Sequence, residues 1–196
     1  MGENLRRRGG ADAILITDRS RPDVVGKTLA EVARARGTTP VRAAIDIIMM
    51  GGASIASFNM QEPDILNFMR QDFVMTGSDG SDGHPRKYGT YPRKFHDYVL
   101  GKRVMPFEAA VRRSSAMVAE TFGLAGRGLL REGYFADVVV IDTAQYAERA
   151  TYQEPTRLAT GVRYVWVNGV LAVDDGQPKG ALAGRALRRE RGAVRR

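Results

Sequence analysis

Residues 73–92 read FVMTGSDGSDGHPRKYGTYP, an apolar run followed by a long polar segment. The first part, residues 73–76, predicts a buried strand. The second part, residues 77–92, predicts a loop because it is rich in glycine and includes two prolines. A loop of this length is typical of a functional segment when it follows directly on a buried strand. The stretch therefore predicts a site at the end of a strand in an α/β fold, where barrel enzymes place catalytic groups.

The part of the chain before this stretch alternates short apolar runs with apolar residues at helical spacing. The runs predict strands over residues 13–16 and 53–58. The helical spacing predicts helices over residues 28–35, 40–49 and 62–69. Alternating strands and helices of this kind indicate an α/β architecture.

After this stretch the chain returns to helical spacing and then changes to strands. Residues 106–122 predict a helix that ends at Gly123. Beyond about residue 125 the apolar pattern becomes alternating or continuous, which predicts strands over residues 136–141, 162–167 and 170–173. The last two flank Asn168-Gly169, the dipeptide that best fits a two-residue type I′ hairpin turn.

The net charge of +8 is concentrated at the two ends of the chain. Residues 185–196 carry +5 and residues 1–8 carry +2, which leaves +1 for residues 9–184. Neither end contains an aromatic residue that could stack on a base. We interpret both ends as solvated, frayed tails and do not expect a nucleic-acid partner.

Composition excludes several kinds of site. The chain has no cysteine and only two histidines, His84 and His96. Disulfides, cysteine-ligated zinc and thiol nucleophiles are therefore excluded, and a multi-histidine metal site cannot come from this chain alone. No stretch approaches the ~20 apolar residues of a membrane span, and the start lacks the apolar core of a signal peptide. We expect a cytoplasmic protein without a membrane partner.

Three residues of the polar segment can carry chemistry, and each has a second interpretation. Asp79 can be a metal ligand or a general base working on a metal-bound water, or it can cap an Asx turn together with Asp82. His84 can be a ligand or a hydrogen-bonded surface residue. Arg86 can hold a carboxylate in a bidentate fork or be a solvated charge. By default, Met60 is a core gap-filler, and Tyr88 and Tyr91 pack in the loop with exposed hydroxyls.

Taken together, these segments resemble a known family. The run SDG…HPRKYGTYPR, with ADVVVID at residues 136–142 and VNG at residues 167–169, resembles the amidohydrolase superfamily and specifically its N-acyl-D-amino-acid deacylase (D-aminoacylase) branch. GKTLAEVARARG and FNMQEPDILNFM are also similar to stretches that precede the last barrel strand in that branch. The resemblance covers about residues 12–178 and only the C-terminal portion of such an enzyme.

The resemblance implies an α/β fold made of the C-terminal part of a (β/α)₈ barrel followed by strands of a small β-sandwich. It divides the chain into four parts: a basic N-terminal tail (1–11), the last strands and helices of the barrel (12–125), the β-sandwich strands with the VNG hairpin (126–178) and a basic tail (179–196).

The resemblance also implies hydrolysis of the amide bond of N-acyl-D-amino acids with zinc as cofactor. By the match of SDG, Asp79 is the general base and a possible zinc ligand. By the match of HPR, Arg86 binds the carboxylate of the D-amino acid. Met60, on a loop that lines the side-chain pocket, and Tyr88 are the other substrate-binding candidates.

The sequence departs from this family in its metal ligands. The family's HxH pair near the first strand and its histidines on middle strands have no counterpart here, because His84 and His96 both follow Asp79. We therefore expect the isolated chain to be inactive and to need an upstream N-terminal half. A second expectation is that the chain self-associates through apolar helix residues such as Val41, Ile45 and Ile48, which would lack their barrel neighbours. The alternative is a non-catalytic binding or assembly module that recruits a partner through an exposed strand edge.

Overall fold

The structure, a computed structural model, describes residues 1–188 and is a mixed helix and strand fold, as the sequence predicts. The helices are α1 (Gly2–Arg7), α2 (Leu29–Ala35), α3 (Pro40–Met49), α4 (Glu62–Arg70), α5 (Arg86–Arg93), the π-helix (Lys94–Gly101), α6 (Phe107–Arg112) and α7 (Ala116–Phe122). The strands are β1 (Ile14–Ile16), β2 (Ile55–Ser57), β3 (Val138–Ile141), β4 (Val162–Val167), β5 (Val170–Asp174) and β6 (Gln177–Pro178). Within the described residues, no helix combines the length and apolar character needed to cross a membrane.

The chain divides into two compact units. The first unit consists of residues 1–65, 79–88 and 150–157. The second consists of residues 66–78, residues 89–149 and the described residues from 158 onward.

The first unit is built on β1, β2 and two well-capped helices. Thr28 and Glu31 form a capping box at the start of α2, and Thr39 caps α3, so both helices begin where the sequence predicts. Their inner faces join β1 in one apolar cluster that includes Ile16 and Val32. The strands β1 and β2 pair antiparallel, whereas the strands of a (β/α)₈ barrel are parallel. The β1–β2 pair therefore does not show the parallel strand arrangement of a barrel.

Residues 2–7 of the predicted N-terminal tail form the short helix α1 rather than a frayed end. Leu5 is partly buried against the apolar cluster of the first unit, and Glu3 forms ion pairs with Arg6 and Arg7 on the same helix. The contact of Leu5 and the ion pairs of Glu3 therefore stabilise a helix in residues 2–7, although the charged composition of this segment predicts a frayed end. The predicted C-terminal tail falls partly on residues 189–196, which lie outside the described residues.

The second unit contains a four-stranded antiparallel sheet in the order β3-β4-β5-β6. Asn168 and Gly169 both have positive φ, 50° and 82°, which confirms the type I′ turn between β4 and β5. Asn168 also ties this turn to other parts of the unit. Its backbone N–H donates to Asp137 at 2.8 Å, and its side chain accepts from Arg127 at 2.6 Å and donates to the Ala183 carbonyl at 2.6 Å.

Three element predictions need correction. Residues 73–76 form no strand, because they pair with no strand among the described residues, and the Thr76 N–H instead donates to the Arg113 carbonyl at 3.3 Å. The predicted loop ends early, since α5 begins at Arg86 and runs through Pro92. The helix predicted over residues 106–122 breaks into α6 and α7, where the Ser114 and Ser115 hydroxyls donate to carbonyls four residues back.

Candidate functional site

Asp79 lies in the first unit on an exposed loop that leads into α5. Its backbone is in the left-handed region, with φ of 45°, a conformation that Asp tolerates better than most residues. Its side chain is 86% exposed, and its Oδ2 lies 2.9 Å from the Arg86 guanidinium. The structure therefore brings together the two residues that the sequence predicts as general base and carboxylate-binding group.

The loop between these two residues is held by one close backbone approach and one ion pair. Gly83 has φ of 76°, and a Cβ at this position would lie 2.3 Å from the Thr17 carbonyl oxygen. Only glycine can satisfy both the conformation and the space. Asp82 pairs with Lys87 at 2.7 Å, and this hydrogen bond holds the pKa of Asp82 below its usual range.

Asp79 and Asp82 thus both direct their carboxylates to cationic side chains rather than to the backbone of the bend. Among the described residues, this arrangement does not match the Asx-turn interpretation of the two aspartates.

His84 connects α5 to a tyrosine that is distant in sequence. Its Nδ1 accepts the backbone N–H of Arg86 at 3.1 Å, and its Nε2 lies 3.2 Å from the Tyr152 hydroxyl. Burial, followed by the nearby Arg86 charge, lowers the pKa of His84. An Nδ1 that accepts requires the neutral imidazole with its proton on Nε2, and we assign that tautomer from the hydrogen bonds. Both ring nitrogens of His84 therefore have hydrogen-bond partners, which matches its interpretation as a hydrogen-bonded residue.

Tyr152 forms the centre of a small aromatic group in the first unit. Its ring meets the His84 ring edge-on at 5.1 Å and the Phe58 ring edge-on at 5.4 Å. Sequence reasoning misses Tyr152, because it lies 68 residues from His84 in an irregular stretch without periodicity.

Met60 and Tyr88, the other predicted substrate-binding residues, also lie in the first unit. Met60 is 70% exposed, so its default interpretation as a core gap-filler is wrong. Tyr88 is half-buried on the first turn of α5. The structure brings Asp79 and Arg86 into contact, and it places Met60 and Tyr88 in the same unit without showing that they contact this pair.

The second unit contains a polar cluster that the sequence does not reveal. Lys94 is only 5% exposed, and its Nζ donates to Thr76 Oγ1 at 2.7 Å, to Ser114 Oγ at 2.8 Å and to the Ala110 carbonyl at 3.1 Å. The Tyr91 hydroxyl, predicted to be exposed, donates to the Thr76 carbonyl at 3.2 Å. Burial, followed by the Arg113 charge, lowers the pKa of Lys94 to about 8.

The described residues do not assemble a metal site. No group of three or more His, Asp or Glu side chains in residues 1–188 is placed to hold an ion. His96 Nδ1 lies 2.7 Å from Asp97 on the exposed side of the π-helix, while both ring nitrogens of His84 are engaged with Arg86 and Tyr152. Zinc in a protein normally takes three or four side-chain ligands, so this donor set does not fit a zinc ion.

Comparison with known proteins adds the family context. Residues 12–173 match the family model described as the amidohydrolase family. The D-aminoacylase of Alcaligenes xylosoxydans xylosoxydans is 39% identical over 173 residues, which is 86% of this chain and 35% of that protein. The N-acyl-D-glutamate deacylase of the same organism is 35% identical, over 92% of this chain and 40% of its own length.

Two solved structures have the same backbone arrangement. A crystal structure of D-aminoacylase is 36% identical with a TM-score of 0.83, and it covers 94% of this chain and 40% of its own. The N-acyl-D-glutamate deacylase of Bordetella bronchiseptica, complexed with zinc and a phosphonate mimic of the tetrahedral intermediate, is 36% identical with a TM-score of 0.78. It covers 89% of this chain and 38% of its own. The chain thus spans about two-fifths of the length of these relatives.

Proposed function

This chain belongs to the amidohydrolase family, and from that premise we propose that it supplies the C-terminal part of a deacylase that hydrolyses the amide bond of N-acyl-D-amino acids. The observation that carries the proposal is the Asp79–Arg86 pair, 2.9 Å apart on an exposed loop. A carboxylate can take a proton during amide hydrolysis, and a guanidinium can bind the free carboxylate of the substrate. Both groups lie in a backbone that matches the two solved relatives with TM-scores of 0.83 and 0.78.

Each residue of the site has a separate proposed role. Asp79 accepts a proton from the attacking water and passes it to the leaving amine. Arg86 binds the α-carboxylate of the D-amino acid, and His84 holds the backbone N–H of the residue from which that guanidinium extends. Met60 and Tyr88 contribute to the surface that receives the substrate side chain. The half-buried Tyr88 and the exposed Met60 leave room for such contacts.

The zinc found in the Bordetella relative needs ligands that residues 1–188 do not assemble. In the proposed enzyme, most of these ligands come from sequence that corresponds to the remaining three-fifths of the relatives. We propose that residues 12–125 add the last strands and helices to a (β/α)₈ barrel and that residues 126–178 add strands to a small β-sandwich. The antiparallel order β3-β4-β5-β6 supports the second assignment.

A second candidate function is a non-catalytic binding or assembly module. The observation in its favour is that β3 lies at an edge of the four-stranded sheet and exposes Val139 and Val140. Such a module needs neither Asp79 nor Arg86 for its activity, so the two candidates differ in what these residues do.

A chimera separates the two functions. Residues 12–173 replace the matching segment of the Alcaligenes D-aminoacylase, and hydrolysis of N-acetyl-D-amino acids is measured in the presence of zinc. The deacylase proposal expects turnover from the chimera and none from the isolated chain. In the chimera, Asp79→Asn should lower kcat by about 10²–10⁴. Asp82→Asn is the matched control, because it removes a carboxylate of the same loop whose partner is the surface residue Lys87.

Two results would contradict the deacylase proposal. One is a folded, zinc-loaded chimera that does not turn over. The other is an active chimera in which Asp79→Asn and Asp82→Asn behave alike, which would remove Asp79 from the reaction.

A further inference from the structure

The ion pair between Asp79 and Arg86 joins two groups that the proposed function needs separately. Arg86 must be available to the carboxylate of the substrate, and Asp79 must be available to take a proton. In the structure, the Arg86 guanidinium is instead bound to Asp79 Oδ2 at 2.9 Å and lies 3.4 Å from Ser81 Oγ. The position of a substrate carboxylate is thus taken by a carboxylate of the protein itself.

The backbone between Asp79 and Arg86 is held at two points. Gly83 packs against the Thr17 carbonyl with a positive φ. His84 Nδ1 accepts the backbone N–H of Arg86, and its Nε2 lies 3.2 Å from the Tyr152 hydroxyl. An exchange of partners at the Arg86 guanidinium, which is a side-chain movement, does not require either of these two contacts to break.

The exposure of the pair makes such an exchange feasible. The Asp79 side chain is 86% exposed and the Arg86 side chain is 38% exposed, and an ion pair in contact with water is only weakly stabilised. An incoming carboxylate offers the guanidinium the same kind of charged acceptor that Asp79 offers. A neutral carboxamide carries no charge, so it binds the Arg86 guanidinium more weakly than the Asp79 carboxylate does.

We propose that the carboxylate of the substrate displaces Asp79 from Arg86, so that binding of a carboxylate releases the base of the reaction. The inference rests on the roles given to Asp79 and Arg86 under Proposed function. It also explains why the site would prefer substrates with a free carboxylate, because a ligand without one leaves Asp79 paired with Arg86. The exchange is one of ion-pair partners only, and no covalent bond forms or breaks in it.

The test measures carboxylate binding to the full chain, without zinc and without turnover. The probes are N-acetylglycine and its neutral twin N-acetylglycinamide, titrated up to about 100 mM into ¹⁵N-labelled protein while the Arg86 side-chain NMR signal is followed. Asp79→Asn removes the competing carboxylate and should tighten N-acetylglycine binding about two- to fivefold, the range spanned by an exposed ion pair. N-acetylglycinamide should not shift the Arg86 signal in any variant.

Two further variants control for charge and for folding. Asp82→Asn removes one negative charge from the same loop at a carboxylate that pairs with Lys87, so it measures the general effect of charge on anion binding. Asp79→Gly also removes the carboxylate, and glycine accepts the left-handed backbone at this position. If Asp79→Asn does not fold, Asp79→Gly still measures how loss of the Asp79 carboxylate changes the affinity for N-acetylglycine.

The outcomes separate this inference from the proposed function. If Asp79→Asn and Asp79→Gly tighten binding no more than Asp82→Asn does, the displacement is overturned while the carboxylate role of Arg86 stands. If N-acetylglycine shifts the Arg86 signal in no variant, or if Arg86→Gln binds as tightly as the unmodified chain, Arg86 is not a carboxylate site and the proposed function loses its support as well.

Discussion

Gly83 shows how a single residue decides the shape of the candidate site. Its φ of 76° turns the chain back between Asp79 and Arg86, and its Cα faces the Thr17 carbonyl so closely that no side chain fits. The conformation costs an L-residue about 1–2 kcal/mol, and the steric conflict is added to that cost. The contact between Asp79 and Arg86 therefore depends on a residue that has no functional group of its own.

We predict that Gly83→Ala lowers the free energy of unfolding by at least about 1–2 kcal/mol, because both the positive φ and the contact with Thr17 oppose a Cβ. Urea denaturation followed by circular dichroism measures the change. Gly77→Ala is the matched control, since Gly77 has no positive φ and a Cβ added there would meet no atom within 4 Å among the described residues. Equal stability of Gly83→Ala and Gly77→Ala would show that the loop does not pack as described.

At the scale of elements, the π-helix carries a buried ammonium that has no carboxylate beside it among its described partners. Lys94 reaches two hydroxyls and one carbonyl, which satisfy its three donors. Burial nevertheless disfavours its charged form, and the pKa of Lys94 falls to about 8. This cluster joins the π-helix, α6 and Thr76 within the second unit.

The lowered pKa of Lys94 predicts that stability rises in mildly alkaline solution. Below about pH 8 the lysine is protonated in both the folded and unfolded states, and the full cost of its burial is present. Between about pH 8 and 10.5 the unfolded chain binds more protons than the folded one, so the free energy of unfolding increases with pH. The increase attributable to Lys94 is about 3 kcal/mol.

Urea denaturation at several pH values checks this prediction. Lys94→Met should remove the rise that Lys94 contributes, and the difference between the two proteins isolates it from the titration of tyrosines. Lys179→Met replaces an exposed lysine of the same unit and should retain the rise. A pH profile that is identical in Lys94→Met and the unmodified chain would contradict the assignment.

At the scale of the whole molecule, apolar surface remains exposed on the first unit. The C-terminal part of α3 and the start of β2 present Ile48, Met49, Met50 and Ile55 to solvent, with Ile48 57% exposed. Ile48 and Ile55 also line an apolar pocket of about 520 Å³, together with residues of α1, β1, α2 and α3. Contiguous apolar surface of this kind favours association in water.

We predict that the chain self-associates in a concentration-dependent way, because association removes this apolar surface from water. Sedimentation velocity between about 5 and 200 μM measures it. Ile48→Gln should shift the distribution toward monomer. Leu182→Gln, which changes a fully exposed leucine far along the chain, should have no such effect. A single monomeric species throughout this range would show that the exposed face does not drive association.

The sequence by itself determined where several helices begin, the hairpin turn and the family. The starts of α2 and α3 and the Asn168-Gly169 turn are decided by residues close in sequence, so local patterns predict them correctly. The matched motifs around Asp79 and Arg86 also identify the family over most of the chain. Their chemical roles remain predictions, since the contact between them does not by itself assign a function.

Only the tertiary structure decided which distant groups meet and which apolar runs become strands. Tyr152 reaches His84 across 68 residues, and Lys94 reaches Thr76 across 18, through contacts that leave no local periodicity. Residues 73–76 have the composition of a strand, but a strand also needs a hydrogen-bonding neighbour, and the described chain places the Arg113 carbonyl there instead. Local patterns record the preferences of the backbone, whereas pairing and burial depend on partners that only the folded chain brings together.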